Sequence, residues 1–523
     1  MSQRDLHRNL VQRINIGDSL TRSAQRHPAS TALTEGNRRL SYLEFNRSVN
    51  RVAHGLMDRN IRTGQAVAIA SGNSIEFLVT YYACAKIGAV CVPMNLGWGR
   101  DEVAHVLSDS GARMIVIQEG LLPKMEAAIS AAEVPTVITI TAGPMSERPD
   151  QNSFSHLMGH SDDSEPEILV PDRAPITYLY TSGTTSRPKG VVGSQAGVYV
   201  ESMNMVIEAG FNAEDKFLAM LPMFHVAQLT NQCTPAIFVG AAIHIFESFE
   251  VDAVLEAVER EGITQMLALP TMYRAMLDRQ LEVDRDLSSL KRAMYGMAHI
   301  PQGILKQCIK VFGCRFYLLF GQTEMSPSTM FRPEHQTVYP GSVGTPMIGA
   351  QIAIMDSHGN VLDSGETGEI VYRGPHALTE YLNNEEATSA ALSDGWLHSG
   401  DIGHLDDRGV LWFTDRVRDL IKSGGENISS LEVESAIFAV DPDVAEVAVV
   451  GLPHDHWSEA ITAFVVPRPG AAIDEEELRR KLRFRIDPYK VPKSILVIDE
   501  LPKTATGKIQ KNQIRGHYSE LYK

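Results

Sequence analysis

The sequence predicts an α/β fold in three parts: a large N-terminal domain of parallel-sheet α/β subdomains, a small β-barrel, and a small α+β unit at the C-terminus. Three observations carry this. Short β-rich runs alternate with helix-patterned stretches from the start of the chain, the pattern of parallel sheets covered on both faces. Around Ala350 the texture changes to short alternating strands with "HGN" and "SGETG" turns, as in antiparallel hairpins or a small barrel. After "DRVRDLIK" the strands become few and flank an acidic-to-basic helix.

Taken in order, "SYLEFNRSVNRVAHGLMDRNI" opens with Ser41 and Glu44 in capping-box spacing and sets Leu43, Phe45, Val49, Val52, Leu56 and Met57 at helical intervals. Strands are expected at "QAVAIA", "RMIVIQ" and "TVITIT", with a helix at "EFLVTYYACAKIGAV". Segment 145–170 is polar and rich in Pro and Ser, so an exposed loop is expected there. The alternation resumes at "FLAMLPMF", "AAIHIF", "TQMLALP", "RAMYGM" and "CRFYLLF". In the last unit, strands are expected at "AEVAVVGLP", "AITAFVVP" and "SILVIDE", and a helix at "DEEELRRKLRFR". The expected domains are 1–417 and 418–523.

The chain of 523 residues is 44% apolar and 21% charged, and its net charge is −16. Such an acidic surface argues against nucleic acid as a partner. It also repels ATP-like anions at long range, so any nucleotide site must be made locally from a few cations, aligned amides and a metal ion. The five cysteines have neither CxxC nor metal spacing, which fits thiols in a reducing compartment. The first twenty residues interleave Arg, Asp and His where an export signal needs an apolar core, and the longest apolar run, near 236–246, is too short for a membrane span. A cytoplasmic protein is expected.

The most distinctive string is "YTSGTTSRPKGVV", 180–192. Pro188 and Gly190 break the P-loop pattern, yet the loop suits phosphate. Gly183 allows amides to converge on an anion, Thr181, Ser182, Thr184 and Thr185 supply rotatable donors, and Lys189 adds a point charge. A polar surface turn would explain "SRPKG" alone, but not the full string behind the strand-like "ITYLY".

This loop resembles the signature of the adenylate-forming superfamily, in its acyl- and aryl-CoA synthetase branch. The likeness continues through "LPMFHVAQ", "FGQTE", "GETGEIVYRGP", "GWLHSGDIG", "DRVRDLIKSGGENIS" and "LPKTATGKI", in the family's order along nearly the whole chain. The resemblance implies that a carboxylic acid attacks the α-phosphorus of ATP, giving acyl-AMP and pyrophosphate, and that coenzyme A then displaces AMP. The rival acceptors are an amine or a carrier-protein thiol. It further implies a mobile C-terminal domain that turns about Arg418 between the two halves.

By the same resemblance, Lys508 bridges the acid carboxylate and the α-phosphate, Thr323 donates to that phosphate, and Glu324 is the Mg²⁺ ligand, a role suited to one carboxylate completed by phosphate and water. Asp401 and Arg416 hold the ribose. Phe320 and Gly321 with the Gly296-Met297-Ala298 turn take the adenine. His225 stands beside the acid carboxylate as a gate, although a lone histidine in apolar sequence is more often a packing residue. Ser423, Gly424, Gly425 and Glu426 line the path of coenzyme A; two glycines there could instead end a helix, but the trailing "ENIS" favours the family reading. Four departures from the family pattern stand out: Phe320 for Tyr, Met297 within a Gly-Gly-Ala turn, Gln195 for His, and Ser458 for Gly.

Overall fold

The computed structural model describes residues 2–141, 150–181, 187–298, 300–336, 338–504 and 507–522. Two large sheets form the body. The first has nine strands; its six central ones, from Thr31–Glu35 to Arg315–Gln322, run parallel, and antiparallel strands close both edges. The second has six strands, five parallel, and ends on the antiparallel pair Pro175–Thr181 and Lys189–Ser194. Strands buried on both faces explain why "AVAIA" and "MIVI" read as unbroken apolar runs.

Between these sheets lies the largest core, threaded by the helix Ile75–Ile87, which is buried nearly all round. The helix Tyr42–Asp58 begins on the expected capping box: Ser41 Oγ accepts from Glu44 N, and Ser41 N donates to Glu44 Oε2 at 2.8 Å. A third, wholly antiparallel sheet spans Gln351–Met355 to Leu411–Arg416, where the hairpin texture begins in the sequence. A fourth sheet is built on the long antiparallel pair Val444–His454 and Ser458–Pro467, with separate apolar clusters on its two faces.

One expectation changes. Part of segment 145–170 is not an exposed loop. The helix Phe154–Met158 buries Phe154 and Leu157, and a Cβ on Gly55 of the facing helix would come within 2.7 Å of Leu157. Further on, Glu165 reaches the ammonium of Lys86, which is 1% exposed and also donates to Asn46 and Asn50 at 2.8 and 2.7 Å. A buried lysine needs that carboxylate, since an unpaired charge there would be expensive. The polar composition of the segment thus serves an internal partner.

Candidate active site

The site gathers at the ends of strands from three sheets. The described ends of the phosphate string, Thr181 and Lys189, pair with each other at the end of the antiparallel strands Pro175–Thr181 and Lys189–Ser194. Ser182, Gly183, Thr184 and Thr185 lie outside the described residues. A Cβ at Gly190 would strike the Tyr180 ring at 2.9 Å, and Tyr180 donates to Asp109 at 2.7 Å, so the strand below the loop is tightly held.

Thr323 and Glu324 are the two turn residues of a second hairpin, with Gln322 paired to Met325. Gly321, just before the turn, has no room for a side chain: a Cβ would lie 2.8 Å from Met325 O and 3.0 Å from Ser328 N. Glu324 Oε1 accepts from the Tyr381 hydroxyl at 2.6 Å, and Lys189 Nζ stands 5.4 Å from the Tyr381 ring centroid. The segment carrying Tyr381 hydrogen-bonds along the strand Lys189–Ser194, with Thr379 N on Val192 O and Leu382 N on Gly190 O. Tyr381 therefore couples the two hairpins. Sequence reasoning missed it, because a single tyrosine in "TEYLNN" carries no motif.

Asp401 and Arg416 face each other across antiparallel strands, Nε to Oδ1 at 3.4 Å. Asp401 is 4% exposed, and burial pushes its carboxyl up to about 6 against the opposing pull of Arg416, Lys508 and Arg418. It remains ionised at neutral pH. Lys508 is exposed as a residue, yet protein crowds its ammonium. That crowding, then the positive charges of Arg416 and Arg418, bring it down to about 7, with Asp401 and Asp419 opposing. No side-chain ion pair holds it among the described residues. The backbone beside it is docked: a Cβ on Gly507 would meet Leu269 at 2.8 Å.

His225 belongs to the same group. Burial, followed by the charge of Lys508, lowers its imidazole to about 4, so the ring is neutral. Its Nδ1 accepts from Ala227 N at 3.2 Å, which leaves the ring proton on Nε2. Phe320 packs against Phe413 at 5.2 Å, and Gly296 lies so close to Leu319 O, 2.8 Å from a built Cβ, that only glycine fits. Met297 adopts φ 66, the left-handed conformation for which glycine is the usual choice; it and Ala298 are exposed.

Ser423 and Glu426 pair across Gly424 and Gly425, whose φ values are 64 and 90. This is a two-residue hairpin needing positive φ at both central positions, not a helix end. Ser458 opposite it has φ 67, Gly424 N donates to Trp457 O, and Lys422 N donates to Glu459 at 2.7 Å. These bonds run within its own sheet, and none among the described residues reaches Lys508 or Asp401. Arg418 lies in the turn after Arg416, its Nε 3.9 Å from Asp419.

Among the described residues no three His, Cys, Asp or Glu side chains cluster as a metal cage. The one carboxylate of Glu324, oriented by Tyr381, still fits Mg²⁺, which takes most of its shell from phosphate and water. No helix is long and apolar enough to cross a membrane.

Known proteins show the family. Residues 20–382 match the family "AMP-binding enzyme" and residues 432–508 match "AMP-binding enzyme C-terminal domain". A feruloyl-CoA synthase of Amycolatopsis sp is 34% identical over 504 residues, 96% of this chain and 99% of that protein. An indoleacetate–CoA ligase of Aromatoleum aromaticum is 33% identical, over 96% of this chain and 98% of that one. The ATP-bound structure of MatB from Rhodopseudomonas palustris superimposes with a TM-score of 0.90 at 27% identity, covering 98% of this chain and all of that one. The chain belongs to the AMP-binding enzyme family, the adenylate-forming superfamily, and is an ATP-dependent, AMP-forming acid–CoA ligase.

Proposed function

We propose that the protein activates an aryl-substituted carboxylic acid as acyl-AMP and passes the acyl group to coenzyme A, with the residues above in the following roles. The observation that carries the reading is the meeting of Lys508 with Asp401, Arg416 and His225, a lysine crowded by protein and then by two arginines, with no side-chain ion pair among the described residues. Such a cation is stabilised by an arriving anion. Relatives named for feruloyl and indoleacetate substrates support an aryl acid.

In the first half-reaction a carboxylate oxygen attacks the α-phosphorus, and the bond to the β-phosphate breaks as pyrophosphate leaves. Lys508 offsets the negative charge that gathers between carboxylate and α-phosphate, where fixed charge is most effective. The neutral His225 donates from Nε2 to the acid carboxylate and cannot act as a base near pH 7. Asp401, ionised, accepts from the ribose hydroxyls, with Arg416 beside it. Phe320, Gly321, Gly296, Met297 and Ala298 border the adenine. Thr323 donates to the α-phosphate, while Thr181, Lys189 and residues 182–185 hold the outer phosphates. Glu324 would hold Mg²⁺, whose charge would offset that of the phosphates.

In the second half-reaction the coenzyme A sulfur attacks the acyl carbon, and AMP leaves with the electron pair of the broken C–O bond. The reading places this step after residues 418–523 turn about Arg418 relative to residues 1–417, bringing Ser423, Gly424, Gly425 and Glu426 to the thiol's path. Two assays test the reading: acid-dependent exchange of labelled pyrophosphate into ATP, and AMP release with and without coenzyme A. Exchange with aryl acids and AMP release stimulated by coenzyme A are expected. Absence of exchange with every acid overturns the reading, and AMP release driven by amines but not coenzyme A moves the acceptor to an amine.

A further inference from the structure

Residues 378–382 form a strap stitched by backbone bonds to both the turn at Glu324 and the strand Lys189–Ser194. Leu378 N donates to Glu324 O at 2.7 Å, and Thr379 N donates to Val192 O at 3.0 Å. Val192 N donates back to Glu380 O at 3.0 Å, and Leu382 N donates to Gly190 O at 2.8 Å. Tyr381 stands opposite Val191 in this pairing. These bonds use no side chain, so they do not depend on the Tyr381 phenol.

Two opposite charges meet that phenol at different places. The ring face receives Lys189, whose Nζ is 5.4 Å from the centroid, within reach of the ring's attraction for a cation. The hydroxyl at the ring's rim donates to Glu324 Oε1 at 2.6 Å, a short bond of the charge-assisted kind. Among the described residues neither Lys189 nor Glu324 has an ion pair. Both are half-buried, and both have long flexible stems. Opposite charges on neighbouring elements attract more strongly where water is partly excluded, so the two would close on each other if nothing held them.

We propose that Tyr381 is a positioning residue that keeps Glu324 from pairing with Lys189, so that the carboxylate stays available to Mg²⁺ and the ammonium to the outer phosphates of ATP. The proposal rests on the roles given above to Lys189 and Glu324 and deepens them. An internal ion pair would satisfy both charges at once, and ATP would have to break it before either could serve. Tyr381 instead offers each charge a separate neutral partner, a hydroxyl for the carboxylate and a ring face for the ammonium.

The experiment is equilibrium binding of ATP to the full chain with no acid present, read by calorimetry, first in a metal chelator and then with Mg²⁺. With the metal chelated, the phosphates draw on Lys189 and gain nothing from Glu324. Tyr381→Phe, which keeps the ring and the strap bonds, is expected to weaken this binding about fivefold to tenfold, the scale of one partly screened charge pair. On a Glu324→Gln background, which has no carboxylate to pair, the same substitution is expected to change it by less than about twofold. AMP, which lacks the outer phosphates, is expected to bind the wild type and Tyr381→Phe alike. Equal losses of ATP affinity on the two backgrounds overturn the proposal, because the phenol would then serve the fold and not the separation of charges. No loss on the wild-type background overturns it, and so does a parallel loss of AMP affinity. If Mg²⁺ strengthens ATP binding equally in the wild type and in Glu324→Gln, the metal role of Glu324 falls and the proposal with it. That outcome leaves the ligase reading standing, since pyrophosphate exchange tests that separately.

Discussion

Burial pushes the Glu201 carboxyl from its ordinary 4.5 up to about 8, so between those values the folded protein holds a proton that the unfolded chain has released. The sign of the consequence follows. Where the native state binds more protons, unfolding free energy falls as pH rises, at most by about 1.4 kcal/mol per pH unit for one group. This contribution is complete below about pH 4.5 and lost by about pH 8. Glu201→Gln cannot titrate. Its denaturant-measured stability is expected to equal the wild type near pH 5 and to exceed it increasingly up to about pH 8, by a few kcal/mol at the end. A difference constant across that range would show that the carboxyl is not held neutral. In the sequence Glu201 was legible only as one acid among Val198, Ser202 and Met205 on a helix with apolar faces; nothing told whether it pointed to water or inward.

At the scale of elements, the strands were readable because burial on both faces leaves unbroken apolar runs, and Ser41 announced its helix through Glu44. What escaped was structure decided by distant partners. The helix Phe154–Met158 exists for the face of Tyr42–Asp58, and Tyr381 matters only because its segment lies along the strand Lys189–Ser194. The "SGGEN" glycines were open to two readings, ligand passage or helix end, and the structure gives a hairpin turn whose positive φ values require them whatever passes by. A bulky residue at Gly425 would therefore strain the turn as well as narrow any path. Met297 and Ser458, two of the departures from the family pattern, occupy the same left-handed region at φ 66 and 67. Another element-scale device lies before the turn at Arg418. Asp415, 2% exposed, accepts from Ser430 N at 2.6 Å and Ser430 Oγ at 2.7 Å, tying the strand Leu411–Arg416 to the helix Ser430–Val440. The proposed rotation about Arg418 would have to release these bonds. Ser430→Ala removes one charge-assisted bond of about 1.5–3 kcal/mol. Pyrophosphate exchange is then expected to slow several-fold, with thioester formation from supplied acyl-AMP not slowed. Equal losses in both half-reactions would show the bond to be merely structural.

At the scale of the molecule, the long-range field of a chain with net charge −16 opposes ATP, and a local group of cations, Arg416, Arg418 and Lys508, gathers around one buried aspartate. Lys508 comes from the far end of the chain and reaches the body near Leu269, Asp401 and His225. No local pattern in "TATGK" predicts that meeting; only the family resemblance did. Because crowding and two arginines hold its ammonium at about 7, the free enzyme carries a partly deprotonated lysine just above neutrality. An anionic phosphate bound beside it would restore the proton. Titration of ATP at about pH 8, in buffers of different ionisation enthalpy, is expected to show proton uptake, and Lys508→Ala to abolish most of it. The same variant is expected to lose pyrophosphate exchange by about a hundredfold or more, the scale of one lost transition-state contact, while thioester formation from supplied acyl-AMP persists. Proton uptake unchanged by the substitution would place the titrating group elsewhere. Parallel loss of both half-reactions would mean that Lys508 holds the two parts of the chain together rather than serving the first step alone.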